Sequence, residues 1–154
     1  MDILYHNDGC TCTLRERRLL RRWLREVARA EGGCRIGCIN YVFCPSERML
    51  EMNRRYLGHD YYTDIITFDD SDLRSGIIAG DIFIDVETVA DNARLYGATR
   101  SEELLRVMVH GVLHLCGQKD KSPRANRRMH AKEEKYLALL SDMRAAAAKA
   151  KAGK

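Results

Sequence analysis

The segment from Thr99 to Gly117 constrains the fold more than any other part of the sequence. Thr99-Arg100-Ser101-Glu102 has the pattern of a capping box and Gly117 is a typical helix stop, so the segment predicts one helix. Its apolar residues surround the helix axis instead of forming one stripe: Leu104, Leu105, Val107, Met108, Val109, Val112, Leu113 and Leu115. A helix that is apolar on all sides is buried by other elements. We therefore expect the rest of the chain to pack around this helix.

The remaining segments predict a mixture of strands and helices. Apolar runs bounded by turn-forming residues predict strands over residues 34–43, 63–68 and 76–85, which we expect to join in one sheet. Helices are predicted over residues 46–56 and 86–96, and from Ser122-Pro123 onward. Another helix is predicted to open at the capping box Thr13-Leu14-Arg15-Glu16 and to end at Gly32-Gly33.

Length and composition indicate a single domain. The chain has 154 residues, of which 45% are hydrophobic and 31% charged, enough for one core.

The sequence has no apolar run near the roughly 18 residues of a membrane span, and its first six residues do not resemble a secretory signal. We therefore expect a cytoplasmic protein without a membrane partner. The six cysteines form no CxxC pair and are expected to be free thiols. Residues 145–154, rich in Ala and Lys, predict a frayed helix end or a disordered tail, which leaves residues 1–144 as the domain.

The arginines of the first predicted helix are unevenly distributed. The net charge of +4 does not by itself indicate a nucleic-acid partner. However, five arginines fall within an arc of about 80° opposite an apolar face: Arg15, Arg18, Arg22, Arg25 and Arg29. Such a stripe is either a solvated surface, with partners such as Glu26, or a surface that contacts phosphates. Both interpretations stay open.

The most informative motif lies at the end of the buried helix. His110 and His114 are four residues apart, which places two imidazoles on one helical face at the spacing that a divalent metal needs. Gly117 allows the chain to reverse, so that Asp120 can return toward the same point as a third ligand. Two nitrogens and one oxygen suit zinc, and three protein ligands leave a fourth position for water, as in catalytic sites. We predict one Zn²⁺ per chain, with His130 as a competing third ligand.

Histidines on a buried helix have an alternative role. Either imidazole could simply satisfy a hydrogen bond within the core. The pairing of two histidines with a glycine turn and a carboxylate favours the metal site.

The residue after the first histidine limits the reaction. HExxHxxGxxH zinc peptidases place their general base, a glutamate, at this position, which is Gly111 here. Peptide hydrolysis therefore lacks its proton acceptor. A zinc-activated water suits a phosphodiester better, because Lys119, Lys121 and Arg124 supply cations beside the ligand turn.

The metal motif resembles that of the YbeY-type metal-dependent endoribonucleases, also called rRNA maturation factors. Their signature is HGxLHLxGxDH, and residues 110–117 of this chain read HGVLHLCG. The similarity extends over most of the chain and includes Met52-Asn53, Tyr56, Asp60, residues 63–68 (TDIITF), residues 80–84 (GDIFI), and Met129 with Glu133.

The resemblance implies a fold and a function. The fold would be α+β, a small mixed β-sheet flanked by helices, with the metal-ligand helix buried. The activity would be zinc-dependent cleavage of single-stranded RNA in rRNA processing, including maturation of the 16S rRNA 3′ end, and in ribosome quality control. RNA precursors and the small ribosomal subunit would be the partners, and we expect a monomer. The alternatives are a zinc peptidase-like hydrolase and a non-catalytic ribosome-assembly protein whose metal is structural.

Two positions depart from the family pattern. The third ligand of the family is usually the last histidine of its motif, where this chain has Asp120, a competent zinc ligand that lowers the charge of the site. The family also tends to carry an arginine after the aromatic residue that matches Tyr56, and this chain has Leu57. Arg54 or His59 could supply that cation.

Two aspartates begin apolar runs. Asp64 and Asp81 each follow a turn-forming residue, where aspartate commonly caps a backbone turn, and we favour this role. The alternative is a carboxylate that orients a ligand histidine. Asp64 is therefore a candidate catalytic residue, together with Arg54 and His59.

Overall fold

The computed structural model of the chain describes residues 2–61 and 63–153. The described part contains a four-stranded sheet and five helices, in the order β1 (Asp2–Asn7), α1 (Arg17–Ala30), β2 (Arg35–Cys44), α2 (Ser46–Leu57), β3 (Ile65–Asp69), β4 (Ile77–Asp85), α3 (Val86–Tyr96), α4 (Arg100–Leu115) and α5 (Pro123–Ala152).

The sheet has the strand order β1-β2-β4-β3. Strand β2 is parallel to both β1 and β4, whereas β3 is antiparallel to β4 and forms one edge. The predicted α+β class with a small mixed sheet is confirmed. Strand β1 was not predicted, because its six residues contain only a short apolar run, and its parallel pairing with β2 decides its conformation.

Helix α4 is buried between the sheet and the other helices, as the sequence predicts. Its residues Met108, Val109, Val112 and Leu113 have no exposed surface. The hydroxyl of Tyr41 on β2 donates a hydrogen bond to the Met108 carbonyl oxygen at 2.8 Å, which joins the sheet to the middle of α4. This helix therefore has a fixed position relative to the sheet.

The N-terminal ends of α3, α4 and α5 are capped by side chains. Thr99 Oγ1 accepts from the Glu102 amide and Ser122 Oγ accepts from the Ala125 amide, which confirms both predicted caps. Asp85, which is buried, accepts from the amides of Glu87 and Thr88 and so begins α3 directly at the end of β4.

The predicted capping box at Thr13 is wrong. Helix α1 begins at Arg17, and Glu16 precedes it in the left-handed region, with φ 58° and no side-chain cap. The Glu16 carboxylate instead pairs with Arg144 of α5, at 3.0 Å, so a tertiary ion pair replaces the local cap. Arg15 consequently lies before the helix, and the helix ends at Ala30 instead of Gly32-Gly33.

Helix α5 continues through most of the Ala/Lys-rich segment. It is helical to Ala152, and Lys154 lies outside the described residues. None of the helices in the described ranges combines the length and apolar composition that crossing a bilayer requires.

Candidate metal centre

The last two turns of α4 present two histidine side chains in one direction. The rings of His110 and His114 have centroids 4.6 Å apart and planes inclined at 79°. Their side chains retain 19% and 30% exposure on a helix that is otherwise largely buried. The pair is thus open to solvent on one side.

The turn after α4 brings a carboxylate to the same point. Gly117, at φ 99°, adopts a conformation that favours glycine, and its amide donates to the His114 carbonyl oxygen at 2.9 Å. The chain then reverses, and Asp120 Oδ2 lies 3.4 Å from Nε2 of His110 and 3.4 Å from Nε2 of His114. The structure therefore brings together the three residues that the sequence predicts as ligands.

The spacing of these donor atoms fits a tetrahedral ion. Two ligand atoms bound at about 2.1 Å to a tetrahedral zinc ion are about 3.4 Å apart. One ligand atom from each of the three residues lies within 4.8 Å of the other two. The competing candidate, His130, is not in this group, and its Nδ1 lies 3.2 Å from Glu133 Oε1.

Glu133 of α5 holds the ring of His110. Its Oε2 lies 2.6 Å from His110 Nδ1, and the side chain is only 2% exposed. A hydrogen bond at Nδ1 leaves Nε2, the atom near Asp120, available to a metal. Sequence reasoning noted Glu133 only as part of a resemblance and missed this role. The available signal was a charged residue on the apolar stripe of α5, between Met129 and Tyr136.

The pKa values of the metal-free site follow from these contacts. Burial alone would lower the pKa of His110. The hydrogen bond and the negative charge of Glu133 raise this pKa above its usual value, and the charges of Asp120 and Asp64 act in the same direction. Burial opposes ionisation of Glu133, yet His110 lowers the pKa of that carboxyl. Burial and the charge of His110 together lower the pKa of His114. A metal therefore competes with a proton more strongly at His110 than at His114.

Gly111 allows α4 to approach the sheet closely. A Cβ atom at this position would lie 2.9 Å from Ile82 Cδ1 and 3.2 Å from Ile65 Cδ1. Any side chain here would enter the interface with β3 and β4. The structure thus gives a packing reason for the glycine, and a glutamate at this position would meet apolar side chains.

Residues 6–141 match the family profile described as Endoribonuclease YbeY. The chain belongs to the YbeY family. The resemblance inferred from the metal motif is confirmed. Relatives named Endoribonuclease YbeY include a protein of Cytophaga hutchinsonii, 46% identical over 137 residues, which covers 89% of this chain and 94% of that protein. Another, from Bacteroides thetaiotaomicron, is 44% identical over 139 residues, which covers 90% of this chain and 99% of the relative.

A solved structure supports the same fold. The solution structure of TM1509 from Thermotoga maritima superposes with a TM-score of 0.63 at 26% sequence identity. The match covers 94% of this chain and 93% of that one.

The resemblance leads us to expect an arginine directly after Tyr56, where this chain has Leu57. Leu57 is 44% exposed at the end of α2. Arg54 pairs with Asp60, and His59 stacks on Tyr61 with ring centroids 5.0 Å apart. The structure places both cationic candidates in local contacts around the α2–β3 connection.

Asp64 and Asp81 occupy different environments. Asp64 precedes β3 and lines a cavity that also exposes His110, and burial raises its pKa. Asp81 lies in the middle of β4, exposed, where it accepts a hydrogen bond from the Asn40 side-chain amide at 3.0 Å. The predicted turn-capping role of Asp81 is wrong, because β4 begins four residues earlier than the aspartate.

The predicted RNA-contacting cations lie on exposed surfaces. Lys119 and Lys121 flank Asp120 in the ligand turn, Arg124 lies in the first turn of α5, and all three are exposed. On α1, Arg18, Arg22 and Arg25 are exposed opposite the buried residues of that helix. The first group lies beside the candidate metal ligands, whereas the second lies on a separate helix.

Two cavities each include one of the two histidines in their lining. One, of about 420 Å³, lies between α3, α4 and α5 and includes His110; we refer to it as the three-helix cavity. The other, of about 330 Å³, lies along the edge strand β3 and includes Thr67, Asp69 and His114. Each histidine of the candidate metal centre therefore borders a cavity.

Proposed function

We propose that the protein is a zinc-dependent endoribonuclease that cleaves single-stranded RNA. The observation that carries this proposal is the convergence of His110 Nε2, His114 Nε2 and Asp120 Oδ2 in a chain of the YbeY family. Relatives with this family name are called endoribonucleases. The cavity that includes His110 and the cavity that includes His114 leave space for a substrate next to the candidate ligands.

Zinc is the metal that best fits the donor set. Two imidazole nitrogens and one carboxylate oxygen are typical of catalytic zinc sites. When bound, the ion would supply Lewis acidity at a phosphodiester and a lowered pKa for a water molecule. The partial exposure of all three side chains, 19%, 30% and 25%, supports a catalytic site over a closed structural one.

Residues of the chain would perform the remaining tasks. Glu133 would keep the proton of His110 on Nδ1 and so fix the ring orientation. Lys119, Lys121 and Arg124 would bind phosphates beside the scissile bond. Among the catalytic candidates, Asp64 is supported by its place in the three-helix cavity with His110. Arg54 and His59 stay predictions that rest on sequence alone.

The cellular substrate that we propose is precursor rRNA of the small ribosomal subunit, with a role in maturing the 16S rRNA 3′ end and in ribosome quality control. This finer statement is supported by the family resemblance. If this proposal holds, a folded His114→Ala variant would fail to restore 16S rRNA processing in cells that lack the protein. A binding protein with a structural metal would restore processing despite lost cleavage.

A cleavage assay tests the biochemical proposal. We expect the zinc-loaded wild type to cut a labelled single-stranded RNA, and His114→Ala and chelator-treated protein to leave it intact. Casein serves as the control substrate, because peptide hydrolysis would favour the peptidase alternative. Cleavage of RNA by folded His114→Ala at the wild-type rate would contradict the proposal.

A further inference from the structure

The three-helix cavity is lined by a glutamate that is largely buried. Glu103, on α4 two turns before His110, is only 5% exposed and lines this cavity. No hydrogen bond to its side chain is formed by the residues that the structure describes. The carboxylate oxygens are not fully enclosed, because Tyr5 Oη is the only side-chain polar atom of the described residues that is both fully buried and without a hydrogen-bond partner. Glu103 therefore keeps acceptor atoms that a ligand in the cavity can reach.

The other walls of the cavity complement this acceptor. Tyr96 of α3 borders the cavity with 68% of its surface exposed, which leaves its ring free to stack. Arg106 lies one turn after Glu103 on the same helix and also lines the cavity, with its guanidinium near Glu133 and Glu134. An aromatic ring, a buried acceptor and a cationic donor are the groups with which proteins recognise an unpaired nucleobase.

We propose that the three-helix cavity is a base-specificity pocket that binds a guanine of the RNA substrate next to the cleaved bond. This inference rests on the proposed function, because the cavity shares His110 with the metal centre. The volume of about 420 Å³ lies within the range of about 300 to 1,000 Å³ typical of small-molecule sites.

The carboxylate selects among the four bases by hydrogen bonding. An ionised carboxylate only accepts hydrogen bonds. Guanine presents two adjacent donors, N1–H and the 2-amino group, on its Watson–Crick edge. Adenine and cytosine each place an acceptor nitrogen beside their amino group, and uracil flanks its single N–H with two carbonyl oxygens. Guanine therefore matches Glu103 best, and its O6 would accept from Arg106.

Oligonucleotides with one variable base provide the test. The substrates are single-stranded oligouridylates that carry a single guanosine, and the same oligomers with inosine, which lacks only the 2-amino group. We expect cleavage at a fixed distance from the guanosine and about 10- to 100-fold faster than with inosine, the effect of one hydrogen bond to a buried charge. Equal rates for both oligomers in the wild type would overturn the inference.

The variant Glu103→Gln assigns the preference to this residue. We expect its guanosine-to-inosine rate ratio to fall to within about threefold of one, while cleavage of the inosine oligomer persists. Glu102→Gln is the matched control, because Glu102 is the exposed neighbour on α4 and the amide oxygen introduced by the substitution would still accept from Thr99 Oγ1. A wild-type ratio in folded Glu103→Gln would place the specificity elsewhere.

A second pair of variants keeps the inference testable if Glu103→Gln does not fold. Tyr96→Ala removes the stacking surface, and about 5- to 100-fold weaker binding of the guanosine oligomer is expected, whereas Tyr96→Phe retains it. Fluorescence anisotropy with metal-free protein measures the binding of the guanosine oligomer and of the inosine oligomer.

The binding comparison also separates the two proposals. If the wild type cleaves no RNA, the proposed function fails, but the binding comparison still decides whether the pocket selects guanine. Equal affinities of the metal-free wild type for the two oligomers would overturn the proposed pocket, whatever the cleavage result.

Discussion

Glu133 Oε2 and His110 Nδ1 are 2.6 Å apart, so a buried carboxylate of α5 fixes the orientation of a candidate metal ligand on α4. The two residues are separated by the ligand turn that carries Asp120. The last helix is therefore part of the candidate metal centre, although it supplies none of the three donor atoms.

The first prediction concerns this pair. Glu133→Gln removes the negative charge that supports His110 but keeps a similar shape, so we expect zinc affinity to fall by about 10- to 100-fold. Competition with a chromogenic chelator measures the affinity. Glu134→Gln is the control, because Glu134 is largely exposed and contacts Arg106 instead of His110. Unchanged affinity in Glu133→Gln would mean that the hydrogen bond does not tune the metal site.

The second prediction identifies the third ligand. Asp120→Ala leaves two donors, and we expect zinc affinity to fall by more than about 100-fold, because an incomplete set cannot fix a tetrahedral ion. Asp120→His should retain zinc, since imidazole is also a competent ligand. His130→Ala should bind zinc like the wild type. Metal analysis after dialysis provides the measurement, and zinc absent from His130→Ala but retained by Asp120→Ala would reverse the assignment.

The third prediction is the pH dependence of metal-free stability. The raised pKa of His110 contributes stability that is fully present below the unfolded histidine value of about 6.5 and is lost as pH rises through the folded pKa. The lowered pKa of Glu133 contributes stability that is present above the unfolded value of about 4.3 and is lost as pH falls through the folded pKa. The pair therefore stabilises the metal-free protein most between about pH 4.3 and 6.5.

Urea unfolding of metal-free protein checks this window. The wild type should exceed Glu133→Gln in unfolding free energy by more at about pH 5.5 than at about pH 8. A difference that is the same at both pH values would show that the pair contributes no linked protonation.

The fourth prediction concerns the packing of Gly111. Gly111→Ala gains about 1 kcal/mol of helix propensity, but the new Cβ at 2.9 Å from Ile82 Cδ1 should cost about 1 to 3 kcal/mol. Ile82→Val removes that Cδ1, so the double variant should be more stable than the sum of the two single effects predicts. Thermal unfolding of the four proteins measures the coupling. Simple additivity would indicate that the helix has room at this position.

The fifth prediction concerns the arginine stripe of α1. If Arg18, Arg22 and Arg25 contact phosphates, changing all three to Glu should weaken RNA binding and flatten its salt dependence. The slope of log affinity against log salt should become shallower by about 0.7 for each phosphate that is no longer neutralised. The control changes Lys149 and Lys151 of α5 to Glu, which alters charge near the carboxyl end of the chain. An unchanged slope in the triple variant would identify the stripe as solvated surface.

The features of this protein that could be predicted from its sequence are those that depend on short-range order. The capped, all-apolar segment around α4 predicted the central helix, and the spacing of His110, His114 and Gly117 predicted a metal site at its end. These features follow from helix periodicity and turn chemistry, which act over a few residues. The convergence of Asp120 on the histidines also follows, because one glycine turn connects them.

Features that depend on residues far apart in the chain required the folded structure. The partnership of Glu133 with His110 arises from the packing of α5 against α4, and the three-helix cavity around Glu103 requires three helices to meet. The predicted cap at Thr13 is also absent from the folded structure, where the Glu16 carboxylate pairs with Arg144 near the opposite end of the chain. Local preferences amount to about 1 kcal/mol per cap, so long-range packing and ion pairs can override them. The sequence therefore located the candidate metal ligands, whereas the fold determined which groups orient them and line the cavity beside them.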